Sequence, residues 1–103
     1  MPQFHRVANV SEIPPGTGKA VEIGGQTVAI FNVGGVFYAV NNTCPHRGGP
    51  LGEGAMVDKV VTCPWHGWAF DVTTGKLATN PNVPVGVKIY PVRTEGDDVL
   101  VEC

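Results

Sequence analysis

Four residues of this chain fall into two short segments of the same make-up, Cys44-Pro45-His46 and Cys63-Pro64-Trp65-His66. Each segment offers one thiol and one imidazole, on a turn stiffened by proline and followed closely by glycine, at Gly48 and Gly67. Thiolates favour zinc and iron–sulfur centres, and imidazole suits zinc or iron. Two centres therefore fit the count. One is a tetrahedral zinc, the other a [2Fe–2S] cluster with two cysteines on one iron and two histidines on the other. Common zinc arrangements pair Cys with Cys and His with His, whereas here each segment contributes one of each. That distribution favours a two-iron rhomb reached from both segments.

The remaining reactive residues form no second constellation. His5 stands alone in the first apolar run, and Cys103 is a bystander thiol at the last position. Three cysteines, two of them paired in sequence with histidines, read as metal ligation more readily than as a disulfide framework. Gly48-Gly49-Pro50-Leu51-Gly52 lacks the strand–loop–helix setting and the Lys-Ser/Thr ending of a phosphate loop. A net charge of −2 with no run of Lys or Arg leaves nucleic-acid binding without its electrostatic footprint. There is no signal-peptide-like start and no stretch of about 18 apolar residues, so the expected location is the cytoplasm, with no membrane contact.

The elements that must position these ligands are strands. Runs rich in Val, Ile, Phe and Tyr alternate with turn residues, 14 Gly and 9 Pro are spread along 103 residues, and helical periodicity is scarce. Strands are expected at 4–8, 19–23, 26–32, 36–40, 59–62, 69–72, 87–92 and 99–102. Gly24-Gly25 and Gly34-Gly35 are two-residue hairpin turns that need positive φ, and Glu95 to Asp98 closes a last hairpin. From Thr43 to Gly54, Gly48, Gly49, Pro50, Gly52 and Gly54 forbid a regular element. The picture is a sandwich or small barrel whose two irregular loops end adjacent strands and face each other.

Cys44-Pro45-His46 with Cys63-Pro64-Trp65-His66-Gly67 resembles the signature of the Rieske iron–sulfur family, and the resemblance covers nearly the whole chain. It implies an all-β fold, a Rieske-type antiparallel β-sandwich with a small cluster-binding subdomain of two loops at one end. A single domain would span 1–103, with cluster-binding loops at about 43–54 and 63–68. The cofactor would be one [2Fe–2S] cluster, with Cys44 and Cys63 on the inner iron and His46 and His66 on the outer. The segment 80–84 resembles the family's proline loop, which covers a third side of the cluster.

Two neutral imidazoles in place of two thiolates bring the oxidised centre to neutrality, so an added electron meets less repulsion than in an all-cysteine cluster. High-potential members add a disulfide between the loops and hydroxyl donors to the cluster sulfurs. Here the corresponding residues are Gly49 and Trp65 for the bridge, and Trp68 and Phe70 for the hydroxyls. The expected potential therefore lies at the low end of the range, on the order of −150 mV.

By this resemblance the chain is not an enzyme but a soluble one-electron carrier, like the ferredoxins of bacterial aromatic-ring-hydroxylating dioxygenase systems. Its partners would be a flavin-dependent NAD(P)H reductase as donor and a terminal oxygenase as acceptor. The docking rim would comprise Pro45, Leu51, Pro64 and Trp65, with Arg47 beside a ligand and weak steering by Glu53 and Asp58. Trp68 would shield the cluster; Trp65 would shield or dock. Two other readings stand: the small subunit of an NAD(P)H-dependent nitrite reductase, and a zinc-stabilised interaction module.

Overall fold

A computed structural model describes residues 3–42, 50–65, 67–78 and 86–102. Three of the expected ligands (Cys44, His46, His66) lie outside the described residues, as do Pro45, Arg47, the proline loop 80–84 and Cys103. Ten strands follow one another: β1 (Phe4–Asn9), β2 (Gly18–Ile23), β3 (Gln26–Val33), β4 (Val36–Asn41), β5 (Ala55–Val57), β6 (Val60–Thr62), β7 (Ala69–Asp71), β8 (Ile89–Tyr90), β9 (Val92–Glu95) and β10 (Asp98–Glu102). Among the described residues all seven strand pairings are antiparallel. The β2–β3 and β3–β4 hairpins turn on Gly24-Gly25 and Gly34-Gly35, whose φ values of 55°, 85°, 60° and 96° belong to the left-handed region.

The strands form three sheets, ordered β1-β10-β9, β2-β3-β4-β8 and β5-β6-β7. The four-stranded sheet lies between the other two, as the alternation along β3 demonstrates. Val28 and Ile30 join one core with Ile13, Ala39, Tyr90, Val99 and Val101. Ala29 and Phe31, one residue out of phase, join a second core with Val40, Leu51, Val61, Cys63, Phe70 and Val72. The expected antiparallel sandwich is thus present, with the small sheet β5–β7, whose middle strand leads into Cys63, added as a third layer.

Two local expectations need correction. The run from Val87 to Val92 is not one strand. It divides into β8, paired with β4, and β9, paired with β10. Pro91 separates them, since it has no N–H for a ladder; its carbonyl still accepts the Glu102 N–H at 3.0 Å. Second, the stretch up to Gly54 is not wholly irregular, because Leu51–Glu53 makes a 3-10 turn, and the short strand β5 follows. A 3-10 turn at Val10–Glu12, closed by a reciprocal Asn9–Glu12 capping box, also follows β1.

Candidate metal centre

Cys63 directly follows β6 and is only 1% exposed. It belongs to the second core, where Leu51, Val61 and Phe70 are also buried. Its N–H donates to the Trp68 carbonyl at 2.6 Å. The turn 63–68 joining β6 to β7 is therefore closed at its base, and Gly67, at φ 74°, supplies the left-handed residue it requires. A cysteine held this way presents its sulfur from a fixed, dry base.

The first loop is rooted beside this one. Asn42 donates its N–H to the Thr27 carbonyl at 3.0 Å, and its own carbonyl accepts the Leu51 N–H at 2.8 Å. The chain thus leaves at Asn42 and returns at Leu51 to the same place. It then crosses β6 at Gly54, where a Cβ would collide with the Thr62 carbonyl and lie 2.9 Å from Val61 Cγ2. Ala55 pairs with Thr62, the residue before Cys63. A third connection has its root alongside: Ala78 N–H donates to the Ala69 carbonyl at 2.8 Å, and Gly86 bridges back to Lys76. The roots of segments 43–49, 63–68 and 79–85 therefore gather round β6 and β7.

The expectation that the two ligand loops end adjacent strands of one sheet is corrected. β4 and β6 belong to different sheets, and the segment from Leu51 to β5 is what brings the first loop to the second. One member of the expected rim, Leu51, and one expected steering charge, Asp58, are also misplaced. Leu51 is completely buried and serves as core. Asp58 sits in the β5–β6 turn at φ 53°, at the end of that hairpin away from Cys63. Trp65 is 50% exposed, so it presents a face to solvent, as does exposed Pro64; Trp68 packs against the second core. His5 is exposed on β1, in the opposite outer sheet.

Asp71, at the end of β7, is a partly buried carboxylate on the sheet that carries these roots. Burial alone would raise its pKa, but donation from the Thr73 hydroxyl and N–H, with Lys59 3.4 Å away, outweighs this and holds it below the ordinary value. Sequence reasoning missed two residues that shape the site, Asn42 and Gly54. Their only signal was position, immediately before and after the glycine-rich segment.

Residues 3–91 match the family of the Rieske [2Fe-2S] domain. Over 100 residues the chain is 43% identical to the biphenyl dioxygenase ferredoxin subunit of Pseudomonas sp. (strain KKS102), covering 96% of this chain and 91% of that protein. The ferredoxin of carbazole 1,9a-dioxygenase from Nocardioides aromaticivorans IC177 superposes with a TM-score of 0.86 at 32% identity, over 98% of this chain and 96% of that one. A chain of the complex of reduced oxygenase and oxidized ferredoxin in carbazole 1,9a-dioxygenase gives 0.85 at 35% identity, over 94% and 99%. The chain belongs to the Rieske [2Fe-2S] family and carries one [2Fe–2S] cluster. The buried Cys63 and the converging loop roots fit that group. Like the relatives named as ferredoxins, it is an electron carrier, not a catalyst.

Proposed function

We propose that Cys44, His46, Cys63 and His66 hold the cluster, and that residues 1–103 act as one domain carrying single electrons in the cytoplasm. The donor is a flavin-dependent NAD(P)H reductase and the acceptor the terminal oxygenase of an aromatic-ring-hydroxylating system. The observation that carries this reading is Cys63, buried on an apolar floor where the loop roots meet, in a chain matched to ferredoxins over nearly its full length. When bound, the cluster would supply one-electron chemistry, passing between a neutral oxidised and a singly negative reduced state. The chain's own part is to keep the sulfur side dry through Leu51, Phe70 and Trp68, and to offer Pro64 and half-exposed Trp65 to a partner. Such a face suits the small, transient interfaces of electron transfer. Trp68 and Phe70 have no hydroxyl to stabilise the cluster sulfurs, which supports a potential on the order of −150 mV.

Iron and acid-labile sulfide analysis, followed by rapid-mixing reduction of a terminal oxygenase, tests this directly. Equal iron and sulfide with transfer to the oxygenase is the expected result. A colourless preparation holding one zinc, or a reduced chain that transfers only to a nitrite reductase, would overturn it.

In the described residues no helix is long and apolar enough to cross a membrane.

A further inference from the structure

We infer that Asn42 is a positioning residue for the cluster, latching both ends of the loop that carries Cys44 and His46. This rests on the ligand assignment proposed above. Asn42 is one of two buried polar residues among those described, at 9% exposure, and stands two positions before Cys44. Its N–H is anchored on β3 through the Thr27 carbonyl. Its carbonyl takes the Leu51 N–H at 2.8 Å, and its side-chain Oδ1 takes the Gly52 N–H at 2.7 Å. One residue thus fixes where the loop leaves and, through two successive N–H groups, where it returns.

Gly52 fits the latch only because it is glycine. A Cβ there would lie 3.0 Å from Asn42 Oδ1 and 3.0 Å from Ala20 Cβ. Without Oδ1, the partly buried Gly52 N–H loses its partner and the return of the loop is held by one backbone bond. Ligand geometry then depends on a looser frame, and supports beyond the ligands commonly set how tightly a metal group is held.

The molecule supplies its own control. Asn32, 4% exposed, is the other buried polar residue, and its side chain donates to the Ile13 carbonyl at 2.8 Å and accepts from Gly35 N–H at 2.7 Å. It ties the turn at 13–17 to the turn end of the β3–β4 hairpin, opposite the end that leads into Asn42.

The test compares holoprotein of the wild type, Asn42→Ala, Asn42→Asp and Asn32→Ala. The readouts are the rate of cluster bleaching in a strong iron chelator, the reduced-state EPR line shape and the melting temperature. Asn42→Ala is expected to bleach about tenfold faster than wild type, with an altered EPR line, because the partly buried Gly52 donor is orphaned and the loop return loosens. Asn42→Asp keeps an acceptor for Gly52 and should stay within about twofold of wild type. Asn32→Ala should melt earlier yet bleach at the wild-type rate. Should Asn42→Ala not accumulate, Gly52→Ala crowds the same oxygen and should bleach faster likewise. Wild-type bleaching in both Asn42→Ala and Gly52→Ala, or equally fast bleaching in Asn32→Ala, overturns the latch. A Cys44→Ser protein with an unchanged spectrum would instead remove the ligand assignment, a different failure.

Discussion

Cys63 and His5 show how far residue type and residue place differ in what they decide. Both are metal-ligand types, yet one is sealed in the second core and the other lies exposed on an outer sheet. Replacing His66 with Ala should therefore abolish the native visible and EPR spectra, whereas His5→Ala should change neither; equal effects would contradict the assignment. Trp65 is half exposed next to the proposed ligand His66, which offers its bulk to solvent rather than to the interior. Trp65→Ala should leave the spectrum intact and slow electron delivery to the oxygenase by about fivefold, a loss typical of an aromatic contact at an interface centre. Unchanged transfer kinetics would show that the ring does not dock.

Among the elements, β5–β7 is the sheet on which the site depends, and its strands have only three residues each. Gly54 lets the returning chain lie against the Thr62 carbonyl, so Gly54→Ala should cost about 2 kcal/mol by overpacking and loosen Cys63 with it. Thermal melting and iron content measured together check both halves. At the far end of β7, Asp71 titrates below the ordinary carboxylate value in the fold. Its contribution is present above the unfolded pKa and is lost as pH falls through the lower folded one, that is, below about pH 4. Asp71→Asn should therefore be less stable than wild type near neutrality and lose less on acidification, as paired urea melts would reveal; parallel acid losses would refute it. Most of these elements were legible because Gly-Gly pairs and β-branched runs mark hairpins locally. β5 was not: its three residues become a strand only by lying on β6, and that contact is invisible to periodicity. The Pro91 break was readable in principle, since proline cannot continue a ladder, but apolar residues on both sides concealed it. At the site, the burial of Cys63 was not legible from spacing, and the hydrogen bonds of Asn42 were not either, because an asparagine before a loop has many ordinary uses.

For the whole molecule, the relevant balance is between a centre that takes an electron and a shell that does little to stabilise it. The absence of hydroxyls at Trp68 and Phe70 predicts a midpoint on the order of −150 mV, and a redox titration settling well above 0 mV, the oxidising side of the roughly −150 to +300 mV range, would defeat that expectation. β3 carries a further consequence. A strand greasy on one side and wet on the other indexes itself, since sliding by one residue turns it inside out. β3 is greasy on both sides, so oiliness cannot tell it where to stop. Its alignment is held by the Gly-Gly turns at its two ends and pinned between them by the amide of Asn32, which meets the Ile13 carbonyl and the Gly35 N–H in this register, like a key tooth on an otherwise smooth shaft.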